Sequence, residues 1–250
     1  MPLTESEGLV LRQYDLGEAD RIIVLLTAEH GTVRCVARGI RKSLSRMAGA
    51  LEPLNQVRFE YYVREGAELG RIRRSEVVHS FLGRNPALDR VFGFSYFAEI
   101  AMEMVREGQE NRVFYRLLLA SLRAGERFGV NLGLVRYFEA WSLKLGGILP
   151  DCRYCSRCSR CVTHSAFYLR PEAGQVVCSD CAEGHGMLIG APASAGLERS
   201  WTVSPEEYAA EQMTADVARD LGRLTRKLFE THLDREFRSL APLNQVLTGG

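Results

Sequence analysis

The chain has 250 residues, 46% of them hydrophobic, with 32 Lys and Arg against 31 Asp and Glu and a formal net charge of +1. That length and apolar content suffice for one large domain or two to three small ones with real cores. The near-neutral balance excludes a uniformly basic nucleic-acid coat, so any such surface has to be a local patch found by position.

The first residues, Met1 to Gly8, carry Glu5 and Glu7 and lack the basic, then apolar, layout of a signal peptide. No apolar run approaches membrane-spanning length. The expectation is a cytoplasmic protein whose cysteines are free thiols rather than disulfides.

From Gly8 to about His79 the pattern is short and β-like. Leu9 to Tyr14, Asp20 to Ala28, Thr32 to Arg38, Leu54 to Val63 and Leu69 to Val77 are rich in β-branched, aliphatic and aromatic residues. Turn signals such as Asp15-Leu16-Gly17, Glu29-His30-Gly31 and Arg64-Glu65-Gly66 separate them. Closely spaced strands with no long helical period suit a small barrel, because closure removes exposed edges, and a five-stranded oligonucleotide-binding (OB) fold is the first candidate.

The two-residue period of a strand puts Val33, Cys35 and Ala37 on one face of Thr32 to Arg38, and Arg34, Val36 and Arg38 on the other. The cations continue through a glycine-broken loop with Arg41, Lys42 and Arg46, and no acidic residue occurs from Gly31 to Leu51. A second cationic segment carries Arg71, Arg73 and Arg74. These eight side chains form the candidate phosphate-binding set, with Ser43 and Ser45 as added hydrogen-bond donors. Phe59, Tyr61 and Tyr62 would offer stacking platforms if any faces outward, and otherwise belong to the core. Cys35 reads as a small buried hydrophobe.

Pro86 starts a helical regime. Phe94, Phe97, Ala101, Met104 and Val105 recur at helical spacing, as do Val113, Leu117, Ala120 and Leu122, and then Leu134, Val135, Phe138, Trp141 and Leu145. Three helices broken near Gly108 and Gly129 would bury these stripes as bundle core.

Six of the seven cysteines then fall between Cys152 and Cys181, as C-R-Y-C-S-R-C-S-R-C and, after a spacer, C-S-D-C. Facing Cys-x-x-Cys turns supply the closed tetrahedral thiolate shell that structural Zn²⁺ prefers. Cys178 and Cys181 make one pair; the other is either Cys155 with Cys158 or Cys158 with Cys161, both at Cys₄ spacing. Between the pairs, Phe167 to Leu169 and Val176-Val177 read as the strands of a ribbon turning at Ala173-Gly174-Gln175. Gly184 to Gly196 reads as a linker. Ser204-Pro205-Glu206-Glu207 reads as a capping box with Pro at the first helical position. A last helix with Val217, Leu221, Leu224, Leu228 and Phe229 on one side would return to the bundle. The organisation expected is residues 1–80 as the nucleic-acid-binding barrel, 81–149 as the first part of a helical domain, 150–184 as an inserted zinc module, and 185–250 as linker and closing helices.

With these parts located, the sequence resembles the RecO-type DNA repair proteins, mediators of bacterial recombination. Ala37-Arg38-Gly39-Ile40-Arg41-Lys42-Ser43 through Ser45-Arg46, with Leu51-Glu52-Pro53-Leu54, is similar to the family's basic loop and following strand. Leu69-Gly70 to Glu76 resembles its fifth strand. Gly147-Ile148-Leu149-Pro150 is similar to the family's lead into its first Cys-x-x-Cys, which selects Cys155 and Cys158, with Cys178 and Cys181, as ligands of one structural Zn²⁺. Ser159 follows Cys158 where the family usually has glycine, and Cys161 is an extra thiol.

The resemblance implies a non-enzymatic, nucleoid-associated protein that binds single- and double-stranded DNA and anneals complementary strands. It implies partnership with RecR, in some cases with RecF, and contact with the acidic C-terminal tail of single-stranded DNA-binding protein (SSB), so that RecA is loaded on coated DNA. In an alternative reading the zinc module is a protein-interaction adaptor and DNA affinity is incidental. An enzymatic reading finds no support: there is no His-Glu-x-x-His, no carboxylate pair about a metal and no phosphate-binding glycine loop.

Overall fold

The structure is a computed structural model that describes residues 3–42, 46–233 and 235–249. Two compact units emerge: Met1–Leu122 with Ser239–Val246, and Arg123–Arg238 with Leu247–Gly250. No helix among the described residues is long and apolar enough to cross a membrane.

The first unit is built on five strands, β1 (Thr4–Leu16), β2 (Asp20–Thr27), β3 (Gly31–Ala37), β4 (Asn55–Tyr62) and β5 (Gly70–Ser80), with a short helix α1 (Arg46–Ala50) between β3 and β4. They close as β1-β2-β3-β5-β4, the β3–β5 pair being parallel and the others antiparallel. This is the five-stranded OB-like barrel that the strand spacing predicts. A register shift between Val10 and Arg12 bends β1, so that its first half pairs with β4 and its second with β2. Val10, Ile23, Leu25, Cys35, Val57, Phe59, Tyr61 and Ile72 fill the interior. Gly70 lies where a Cβ would come within 2.7 Å of the Cys35 sulfur, so only glycine lets β5 close on β3.

Helix α2 (Leu88–Met104) packs on β1. The chain after it is tied to the β2–β3 hairpin, with Thr32 Oγ1 donating to the Val105 carbonyl at 3.1 Å and Gly108 N donating to the Thr32 carbonyl at 3.2 Å. The C-terminal segment joins this unit through Ser239, whose Oγ and N donate to the Glu99 carboxylate at 3.1 and 3.2 Å. In α3 (Arg112–Phe128) the buried row is Phe114, Leu118 and Leu122, not the row through Val113, which is exposed. Apolar residues occur on both rows, so period alone did not choose between them.

In the second unit α4 (Leu132–Leu145) is the central helix. A ribbon follows: β6 (Phe167–Arg170), β7 (Gln175–Cys178), the one-turn α5 (Ser179–Ala182) and β8 (Met187–Ile189), ordered β7-β6-β8. Then come α6 (Ala191–Ser200), α7 (Pro205–Ala210) and α8 (Ala215–His232), all packed against α4, while most of the final helix α9 (Leu240–Thr248) belongs to the first unit. The Gly184 to Gly196 stretch is therefore not a linker. Met187–Ile189 completes the sheet, and Ala-Pro-Ala-Ser-Ala opens a helix, because alanine is the best helix former and Pro192 stands in the first turn, where its missing N–H costs nothing. The capping box at Ser204 forms, with Ser204 Oγ accepting from Glu207 N and the Glu207 carboxylate accepting from Ser204 N.

Inside this unit Arg136 and Glu139 form a buried ion pair on α4, and Thr225 of α8 donates to Glu139 at 2.6 Å. Gly222 leaves the space the guanidinium occupies; a Cβ there would lie 2.8 Å from its central carbon.

Candidate metal centre and nucleic-acid interface

In the cysteine module Val162, Phe167, Leu169, Val176, Val177, Ala182 and Ile189 are buried. Two turns present its thiols. In the first, Ser159 N donates to the Cys155 carbonyl at 2.9 Å, Cys155 N donates to the Arg160 carbonyl at 2.9 Å, and Ser159 takes a positive φ of 57°. Ser156 N donates to the Val176 carbonyl at 2.8 Å and fixes this turn to β7. The second turn is the end of β7 with α5, which carry Cys178 and Cys181.

The sulfurs of Cys155, Cys158, Cys178 and Cys181 all lie within 4.8 Å of one another, with Cys158 and Cys178 3.7 Å apart. Such a set could hold a metal ion. Burial works against ionising the Cys155 thiol, but hydrogen bonds from the backbone at Cys178, Cys158 and Arg157 outweigh it and hold the thiol down at about 6. The thiolate is the form that binds metal. Cys152 and Cys161 stay outside the four: the Cys152 sulfur donates to the Pro150 carbonyl at 3.3 Å, and Cys161 is exposed in a bridge with Tyr154. Burial pushes the Cys152 thiol up to about 12.

On the barrel, β3 turns Arg34 outward and ends at the exposed Arg38, while Val33, Cys35 and Ala37 are buried. Burial pushes the Cys35 thiol up to about 12, in keeping with a core role. Arg41 and Lys42 follow in an exposed turn; Ser43 and Ser45 lie outside the described residues, as does the side chain of Arg46 at the start of α1. Arg71 sits opposite Val36 on β5 and is half-buried, and Arg73 is exposed beyond it. Arg74 pairs with Glu76 and lies opposite Glu60 in register, so acids surround it. The set thus divides: Arg34, Arg38 and Arg71 share one outward region, and Arg74 belongs to a mixed-charge one. Of the aromatics, Phe59 and Tyr61 stack in the core with centroids 5.2 Å apart, and Tyr62 is half-buried.

The structure adds a feature that the acid-free run of the sequence hides. The β1–β2 turn brings its own acids to the basic loop: Asp20 accepts from Gly39 N at 2.8 Å, and Asp15 lies 3.5 Å from the Arg41 guanidinium. Arg41 also donates to the Gly17 carbonyl at 2.8 Å. An Asp next to a turn signal, facing a basic loop across a hairpin, was the only trace of this in the sequence.

Comparison with known proteins agrees with this architecture. The sequence model described as Recombination protein O N terminal matches residues 1–81, the barrel, and the one described as Recombination protein O C terminal matches residues 86–241. A protein named "DNA repair protein RecO" from Anaeromyxobacter dehalogenans (strain 2CP-C) is 32% identical over 254 residues, covering 100% of both chains. Namesakes from Geobacter metallireducens (30% identical) and Koribacter versatilis (29% identical) each cover 98% of this chain and 99% of their own. With both family models matched in order and relatives aligned end to end, the chain belongs to the recombination protein O (RecO) family.

Proposed function

We propose that this protein is a non-enzymatic recombination mediator. It binds single- and double-stranded DNA through its barrel, anneals complementary strands and helps load a recombinase onto SSB-coated DNA. The observation that carries the reading is the set of cations that form no ion pair among the described residues, the exposed Arg34, Arg38 and Lys42 on and just after β3, beside Arg71 and Arg73 of β5. Cations on one surface neutralise phosphates without touching base edges, so two strands brought there repel less while their bases stay free to pair. Arg41 exchanges its weak, exposed contact with Asp15 for a phosphate. The relatives named DNA repair proteins support the same reading.

The four close thiols suit one structural Zn²⁺. A zinc–sulfur bond of about 2.3 Å makes a tetrahedral shell with edges of about 3.8 Å, near the 3.7 Å between Cys158 and Cys178. Four protein ligands leave no open position, so the ion supplies folding energy to the module and no chemistry. The partners in this reading are RecR and the SSB tail, in some cases RecF, with RecA served indirectly, in a nucleoid-associated, cytoplasmic setting. For the module itself, a role as a protein-docking surface is favoured by its cations being paired, Arg157 with Glu183 and Arg160 with Asp180, which leaves little to attract phosphate.

The test is binding of the full-length protein to a labelled single strand at rising salt. Log affinity should fall linearly with log salt, by about 0.7 per phosphate neutralised. Salt-insensitive binding, or none, contradicts the reading.

A further inference from the structure

The outward face of the barrel carries a row of side chains that the basic loop does not explain. Bridge partners in a sheet project to the same side. The register joins Tyr14 to Ile22, Ile22 to Val36, Val36 to Arg71 and Arg71 to Tyr62, so the row crosses β1, β2, β3, β5 and β4 in turn. The adjacent residues Ile23 and Cys35 are fully buried in the core, which turns this row outward. None of its members is buried, and Tyr14 is 43% exposed.

Charge around this row is mainly positive, with Asp20 at its edge, two residues from Ile22 on β2 and accepting from Gly39 N at 2.8 Å. The Arg12 guanidinium lies 5.2 Å from the Tyr14 ring centroid, and Arg34 and Arg38 stand two residues to either side of Val36. Among the described residues none of Arg12, Arg34, Arg38 and Arg71 has an ion pair. On the β4 and β5 strands beyond it, Arg58 faces Glu5 and Glu7, and Arg74 pairs with Glu76. Uncompensated guanidiniums around a row with aromatic ends and an aliphatic middle complement a polyanion that also presents flat apolar faces. A single strand offers both; in a duplex the base faces are already stacked on one another.

We propose that Tyr14 and Tyr62 stack unpaired bases of a single strand lying along this row, while Arg12, Arg34, Arg38 and Arg71 neutralise its phosphates. The face thereby favours single-stranded over double-stranded DNA. This rests on the reading of the barrel as DNA-binding, and adds which form it selects and through which rings. The arginines contribute to both forms, and the tyrosines only to the unpaired one. The Arg12 cation on one side of the Tyr14 ring leaves the other side for a base, and a cation over an aromatic face strengthens such a stack.

The experiment compares the full-length protein with its Tyr14→Leu, Tyr62→Leu, Tyr14→Phe and Arg38→Ala variants, all checked for an unchanged melting transition. The probes are an oligo-thymidine single strand and a duplex of equal length. Each Leu variant should lose about tenfold in affinity for the single strand and stay within about twofold on the duplex, while Tyr14→Phe keeps wild-type binding. In a Tyr14→Trp variant the single strand, and not the duplex, should quench the added indole emission. Leu variants that bind the single strand as well as wild type, or that lose both forms equally, overturn the proposal. If Arg38→Ala alone weakens binding, the barrel still binds DNA and only the stacking fails. If the wild-type protein retains neither form, the reading of the barrel and this proposal fall together.

Discussion

The Asp15 carboxylate of the β1–β2 turn lies 3.5 Å from the guanidinium of Arg41 in the basic loop, and both side chains are solvent-accessible. Exposed pairs of this kind contribute about 0.2–1 kcal/mol, because water and salt screen them. Asp15 therefore occupies Arg41 in the free protein without holding it firmly. Asp15→Asn should raise DNA affinity about twofold to fivefold and steepen its salt dependence. Fluorescence anisotropy at several salt concentrations checks this, and lower affinity would mean that Asp15 instead positions the loop for binding.

The candidate metal centre separates the six thiols between Cys152 and Cys181 into four that lie together and two that do not. Cys155→Ser and Cys178→Ser should each abolish stoichiometric zinc and loosen the β6-β7-β8 ribbon, whereas Cys152→Ser and Cys161→Ser should keep one full equivalent. The barrel is built without these residues. DNA binding by the barrel should survive zinc loss, a result that metal analysis and binding assays on the same samples decide.

The Arg136 and Glu139 pair predicts a large effect from a small change. Glu139→Gln leaves the buried guanidinium without its counter-charge and should destabilise the second unit by about 3–5 kcal/mol. Replacing both residues with apolar ones of similar volume should recover most of that loss, since a well-packed apolar pair avoids the desolvation cost. Urea denaturation of the three variants measures the difference.

Gly70 and Cys35 form a similar couple in the barrel. Gly70→Ala forces a methyl group against the Cys35 sulfur and should cost about 1–3 kcal/mol. Adding Cys35→Ala removes the obstructing atom, so the double variant should be more stable than Gly70→Ala alone. A thermal melt of each protein checks the order.

The barrel was legible because its strands are rich in β-branched and aromatic residues, Thr32 to Arg38 puts Val33, Cys35 and Ala37 on one face, and glycine turns punctuate the chain. The thiol set was legible as an ambiguity that the resemblance narrowed to the four sulfurs found together. Less could be read where meaning depends on residues distant in sequence. The stretch from Gly31 to Leu51 has no acids of its own, yet Asp15 and Asp20 reach it across a hairpin. Arg136 and Glu139 sat among an apolar stripe on α4, and only the packing of α8 against that helix shows why a charged pair is buried there. Small residues from Gly184 to Gly196 suggested a linker by composition, but β8 has a sheet edge to join and alanines favour the α6 helix.

That the barrel's cations hold DNA strands so that they anneal is tested by the annealing rate of complementary strands coated with SSB, for the wild-type protein and for a triple variant carrying Arg38→Ala, Arg41→Ala and Lys42→Ala. The wild type should accelerate annealing, and the variant should anneal slowly, with a log-affinity against log-salt slope flattened by about two for a single strand. Equal annealing rates for the two proteins would contradict the claim.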